Sequence, residues 1–254
     1  MMNPLCRQLA AEQRKAARKK IWLIPLGFLS FLSLWWLWQL AHSSAGDLSD
    51  GYLMAFYHFP MMNTMLLPMM TAVIGSRLCD MEIKGDTLKL LYTMQKKTCF
   101  FDCKYLMGLK YLLVFVLGQG ALILISGRMK GFGTPFKQSM FLEYLAVTFF
   151  VSAVLLAIQQ TLSLLSDHQL MPLVVGLAGC FLGLFSMFFP ERIALLIIWY
   201  YYGAFQTVGM DWDRATRIST FYEINFPAQR FFLFLVFGMI VYIICRTVTT
   251  RKEM

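Results

Sequence analysis

The sequence predicts an all-α integral membrane protein with six transmembrane helices. Three observations point there. The 254 residues are 58% hydrophobic and only 15% charged, with mean hydropathy +0.59, whereas a soluble domain carries about 25% charged residues. The apolar residues gather into windows of roughly 20, enough to cross a ~30 Å hydrocarbon core at 1.5 Å per residue. Lys and Arg sit mainly in the short segments between those windows. The expected plan adds an N-terminal amphipathic helix, a short helix in the cytoplasmic loop between spans two and three, and a re-entrant or interfacial hairpin between spans five and six.

In chain order, residues 1–20 form the first unit. Leu5 to Lys20 is rich in Ala, Gln, Glu, Arg and Lys, and Leu5 and Leu9 share a face, so an amphipathic helix on the membrane surface is expected. A solvated basic leader that only sets topology is the plainer reading. Residues 21–246 form the transmembrane domain. Its spans are expected at 21–40, 52–76, 105–126, 141–165, 172–189 and 226–245, the second containing Pro60 and Pro68. Residues 190–225 are expected outside and 247–254 form a tail. The apolar stretch 193–208 contains Trp199, Tyr200, Tyr201 and Tyr202. Rings with polar tips favour the membrane–water interface, so this stretch is expected to form a hairpin rather than a seventh span.

Charge sets the orientation. Arg7, Arg14, Lys15, Arg18, Lys19 and Lys20 precede span one. Arg77, Lys84, Lys89, Lys96, Lys97 and Lys104 belong to the loop between spans two and three, Lys110 stands just inside span three, and Arg246, Arg251 and Lys252 belong to the tail. Six spans put all 16 on one side and the other 7 opposite, and residues 41–51 hold no Lys or Arg. Both termini are therefore expected in the cytoplasm, with the protein multi-pass in the plasma membrane. The basic start and Ser43-Ser44-Ala45 imitate a signal peptide, but the apolar run between them is too long, so the segment is expected to remain as span one. The net charge of +9 reads as membrane orientation and not as affinity for nucleic acid.

No catalytic pattern emerges. The six cysteines, Cys6, Cys79, Cys99, Cys103, Cys180 and Cys245, do not make a secreted disulfide framework. Cys99 and Cys103 have a C-x3-C spacing without a second pair, which supports zinc only weakly. The three histidines, His42, His58 and His168, are scattered, and no phosphate-cradling G-x-x-x-x-G-K-[ST] loop occurs. The chain is not expected to be an enzyme or to bind a metal or cofactor.

The loop 77–104 is the most informative segment. Asp86 can cap a helix in which Leu88, Leu91 and Tyr92 share one face. That face needs an apolar cover, which spacing alone assigns equally to lipid or to a cytosolic protein. The run E-x-x-G-x-T-L-x-x-L at Glu82, Gly85, Thr87, Leu88 and Leu91, with the basic cluster that follows, resembles the first cytoplasmic loop of type-two ABC export permeases. The size, topology and aromatic hairpin resemble that family's plan over the whole chain, and the small Met- and Phe-rich form is similar to the permeases of lantibiotic-immunity transporters. Where the family usually has Pro and Arg after the Leu-Leu, this chain has Met94, Gln95, Lys96 and Lys97. The resemblance implies that Glu82, Gly85, Thr87, Leu88, Leu91 and Tyr92 dock a separate ATP-binding subunit, which holds the ATP and Mg. It also implies a second permease chain, hetero- or homodimeric, and export of a peptide or other amphipathic substrate in antimicrobial peptide immunity.

A substrate path has its own candidates. His58, Asn63, Gln119 and Gln159 are polar groups at membrane depth, and Met61, Met65 and Met69 recur at i, i+4, i+8. Intramembrane polar groups face protein or a cavity, and Met adapts to irregular apolar partners. Helix–helix hydrogen bonding and plain packing are the simpler readings of both sets. Two other functions fit the sequence less well: a non-transporting scaffold or sensor subunit, and a stand-alone secondary carrier, which would more often show charge in mid-span.

Overall fold

The computed structural model describes residues 4–43, 45–83, 85, 93, 96–166, 168, 170–213 and 219–251. Helix α1 (Pro4–Arg18) turns into α2 (Leu23–His42), and the short α3 (Ala45–Ser49) leads into α4 (Gly51–Ile83). Helices α5 (Lys97–Lys130), α6 (Gln138–Leu165) and α7 (Leu170–Ser186) follow. Short pieces come next: α8 (Glu191–Ala194), a 3-10 turn (Ile198–Tyr200) and α9 (Tyr201–Ala204). Strands β1 (Val208–Trp212) and β2 (Ser219–Glu223) then pair antiparallel, with Val208 opposite Glu223, and α10 (Ala228–Arg251) closes the chain.

Among the described residues, four helices are long and apolar enough to cross a membrane: α2, α5, α6 and α10. Helix α7 is apolar but has 17 residues, and α4 has 33 residues broken up by polar ones and two prolines. Every expected span coincides with a helix, but α4 and α5 overrun theirs by a turn or more at the end where they face each other. These helices leave 84–96 between them where 77–104 was expected, because Glu82 and Lys104, beyond the apolar runs, pair with Lys15 and Glu12 of α1.

Helix α4 is the core element, flanked by α6 and α7. It survives Pro60 and Pro68 because neighbouring helices cover the interrupted backbone. Pro68 leaves the Thr64 carbonyl without its helical donor, and α7 lays Gly183 against that carbonyl, where a Cβ would stand 3.3 Å from the oxygen and 2.7 Å from Thr64 Cγ2. Small residues at such a contact let membrane helices approach closely. Large apolar side chains on α2, α5, α7 and α10 point outward, among them Phe31, Leu34, Leu117, Phe181 and Ile243. Lipid is the natural solvent for such a surface.

The 193–208 stretch is not one helix, and no piece of it is long enough to cross. It folds into the bundle instead. Tyr202 is 1% exposed, and its hydroxyl meets Ser152 Oγ at 2.8 Å, halfway along α6. Trp199 lies against Gly179 of α7. Of the aromatic run, Tyr202 is buried and Trp199, Tyr200 and Tyr201 are half-buried. The β1–β2 ribbon was not foreseen, and residues 214–218 between its strands lie outside the described ones.

At the turn from α1 to α2, Lys20 has a left-handed backbone, φ 54°. Ile21 N–H donates to Ala16 O and Lys20 N–H to Ala17 O, at 3.2 and 3.1 Å. This is a Schellman ending, and the buried Ile21 supplies its apolar contact.

Candidate functional site

The flanks of the 84–96 loop meet α1 and α10 in a charged cluster. Lys104 of α5 is fully buried, and its ammonium donates to Glu12 Oε2 of α1 at 3.0 Å, to the Leu78 carbonyl of α4 at 2.8 Å and to Glu82 Oε1 at 3.5 Å. The Phe100 ring faces the same ammonium, 5.0 Å from its centroid. Lys15 of α1 donates to Glu82 Oε1 at 2.7 Å and to Glu12 Oε1 at 3.1 Å. Two lysines and two glutamates thus balance, and Glu12 and Glu82 are 2% and 3% exposed. A buried charge is tolerated when it is paired and hydrogen-bonded. Burial would lower the Lys15 pKa, but the hydrogen bond to Glu82 and the attraction of Glu12 outweigh it, and the net effect raises the value.

One turn earlier on α5, Cys99 donates to Gln8 Oε1 of α1 at 2.9 Å. Asp102 accepts two hydrogen bonds from Arg246 of α10, both 2.8 Å, and one from the Tyr242 hydroxyl at 2.7 Å. Residues 99–104 therefore bind α1, α4 and α10 together.

Of the expected docking residues, Glu82 belongs to this buried cluster and not to an exposed rim, because two lysines draw its carboxylate inward. Gly85 is exposed in a turn. Thr87, Leu88, Leu91 and Tyr92 lie outside the described residues. Among the described residues no group of His, Cys, Asp or Glu is arranged to hold a metal.

The candidate path residues do not form a single lining. Asn63 and Gln119, both fully buried, exchange amide hydrogen bonds: Gln119 Nε2 donates to Asn63 Oδ1 at 2.6 Å and Asn63 Nδ2 to Gln119 Oε1 at 3.3 Å. Asn63 also donates to Tyr144 Oη and Thr148 Oγ1, and the Tyr144 hydroxyl donates to Gln119 Oε1. The network ties α4, α5 and α6, as the helix–helix reading expects. A cavity of about 10 Å³ beside Tyr144 and Thr148, under Tyr202 and Phe205, has room for one water. Gln159 is buried near Gly176, and its side-chain oxygen has no hydrogen-bond partner among the described residues. His58 packs its ring among Trp35, Tyr57 and Phe221. Met65 is 39% exposed, Met61 and Met69 are half-buried, and Cys180 of α7 donates to the Met65 carbonyl. The methionines thus run along the outer edge of α4, away from the buried amides.

Sequence reasoning missed Glu12, Lys15, Asp102 and Arg246 as partners. A signal existed for two of them. Glu12 is the only acid in the first 20 residues, and Lys104 stands between Phe100-Phe101 and the apolar run that begins at Tyr105. A lone acid in a basic helix and a cation at the edge of an apolar run are complementary.

The chain matches no curated protein and no solved structure. The family model described as ABC-2 family transporter protein matches residues 8–183, from α1 through the charged cluster and the polar network into α7. This chain therefore belongs to the ABC-2 transporter family, as a multi-pass permease subunit of the kind that works with ATP-binding subunits.

Proposed function

We propose that the chain is one of two permease subunits of an exporter that expels a peptide or other amphipathic substrate, of the kind met in lantibiotic immunity. The proposed topology has six spans, with α4 and α7 as the second and fifth, cytoplasmic termini, and the 191–223 segment entering the membrane from outside without crossing it. ATP and Mg are held by the partner ATPase. The charged cluster carries this reading. A push on the loop 84–96 is received by helix ends that are fastened to α1 and α10, so it reaches four elements at once. ATP-driven motion needs such a rigid contact.

Leu88, Leu91 and Tyr92 are the proposed apolar anchors for the ATPase, with Gly85 and Thr87 in the same segment. Glu82, which precedes them in the chain, belongs to the charged cluster. Truncating an interface anchor typically costs about 2 kcal/mol or more. Changing Leu88 and Leu91 together to Ser should weaken ATPase capture at least roughly tenfold, since 1.4 kcal/mol is a factor of ten, while membrane levels stay unchanged. Equal recovery of the ATPase by both forms would refute the coupling role. Cells expressing the permease with its ATPase should also resist a lantibiotic that kills cells carrying the double-Ser form, and equal killing would remove the peptide-export reading.

A further inference from the structure

Helix α5 turns one stripe outward: Leu106, Lys110, Leu113, Val114 and Leu117 are all exposed. Lys110 is the single cation in this stripe, about one and a half turns inside the apolar stretch that begins at Tyr105. A charge at such a place is costly unless something of opposite sign meets it. Its hydrogen bond goes to Gln13 Oε1 of α1 at 2.7 Å, an oxygen that carries no net charge.

Beside Lys110 lies an open groove of about 330 Å³ between the α1–α2 turn and α5. Trp22, Leu26, Tyr111 and Val114 make its apolar wall, and Gln13 and Lys110 stand at its polar edge. Trp22 is 47% exposed, and a half-exposed Trp marks the headgroup level of a bilayer. Arg14, Arg18, Lys19 and Lys20, next in the chain to Gln13 and Ala17, are exposed as well. The groove therefore has an apolar floor, a cationic edge and a basic helix above it.

We infer that this groove is a binding site for an anionic phospholipid of the leaflet on which α1 lies. One acyl chain fills the apolar wall, and the phosphate pairs with Lys110. The charge complementarity singles out this occupant. A zwitterionic lipid also offers a phosphate, but it brings a cationic headgroup against Lys110 and the exposed Arg14, Arg18, Lys19 and Lys20, and a helix of a second chain would have to cover Lys110 and those basic residues. The inference is independent of the substrate and of the ATPase docking proposed above.

The test uses the full chain in nanodiscs of equal parts phosphatidylglycerol and phosphatidylcholine, with the retained lipids counted by native mass spectrometry. Lys110→Gln should lower the preference for phosphatidylglycerol about five-fold, equivalent to the ~1 kcal/mol that one lysine contributes near an anionic surface. Lys110→Arg should keep it. Val114→Trp fills the groove without changing charge and should reduce retained phosphatidylglycerol at least about two-fold. Lys130→Gln, exposed at the far end of α5, serves as the control for general surface charge. Two results would overturn the site: equal losses for Lys110→Gln and Lys130→Gln, or unchanged retention in Val114→Trp, which would mean diffuse attraction without a groove.

Discussion

Replacing Lys104 with Met keeps the length and apolar stem of the side chain and removes only its charge and donors. The ammonium makes three contacts, with Glu12 at 3.0 Å, the Leu78 carbonyl at 2.8 Å and Glu82 at 3.5 Å. Without it, two carboxylates that are each no more than 4% exposed as side chains share Lys15, which is itself 38% exposed. Removing one partner of a buried pair costs about 3–5 kcal/mol. The remaining half-exposed lysine favours the lower end, ~3 kcal/mol. At 2–4 °C per kcal/mol for a chain of this size, the melting temperature should fall by roughly 6–12 °C. Thermal unfolding in detergent, followed by loss of the monodisperse peak, measures this. The double variant Lys104→Met, Glu12→Gln leaves Lys15 with Glu82 alone and should recover more than half of the loss. A drop below about 2 °C in the single variant, or no recovery in the double, would mean that the cluster does not hold α1 to the bundle.

Two further outcomes follow from the same geometry. Asn63→Leu leaves the buried Gln119 Nε2 without its acceptor and should cost about 2 kcal/mol in the same melting assay, whereas Asn63→Leu with Gln119→Leu and Tyr144→Phe, which also removes the hydroxyl that donates to Gln119, should cost less, since removing all partners of a buried hydrogen bond is far cheaper than removing one. A triple variant worse than the single would contradict the pairing. Because docking raises the Lys15 pKa above its ordinary 10.5, the docked form holds that proton more tightly than the free form. Its contribution is full below that value and is lost as pH climbs through the docked one. A fluorophore at the exposed position 11 of α1 should report unchanged docking from neutrality to about pH 10 and release above it, and Lys15→Met should abolish that alkaline step. Release of the parent protein already at pH 8 would reverse the assigned direction.

The helices were legible because bilayer thickness writes itself into the length of apolar runs, and 21–40 against the observed 23–42 shows how closely. The overruns of α4 and α5 were not legible. Helix continues there through Glu82 and Lys104, residues that a hydropathy window reads as loop, because Lys15 and Glu12 of α1, distant in the chain, pair with them. The 193–208 stretch shows the opposite limit. Its polarity forbade a plain span, but only the glycine face of α7 tells where Trp199 goes. The polar residues were recognised as a set, and the pairing Asn63–Gln119–Tyr144 needed three helices in register, which no local spacing encodes.

The position of the charged cluster has a mechanical consequence. Apolar contacts slide, because one packed rotamer replaces another at small cost, whereas a buried ion pair is directional and expensive to break. Such a pair fixes helix α1 to α4 and α5 through Glu12, Lys15, Glu82 and Lys104, and α10 is tied to α5 by the half-exposed, bidentate pair of Arg246 and Asp102. Both fixings converge on the first two turns of α5, next to the loop 84–96. Deeper in the bundle the contacts are mostly apolar, interrupted by the polar knot of Asn63, Gln119, Tyr144 and Thr148 and by the Ser152–Tyr202 hydrogen bond. A displacement applied at the loop therefore moves one end of α1, α4, α5 and α10 as a unit. Relative motion is left to the apolar contacts further along, where α7 meets α4 through glycines.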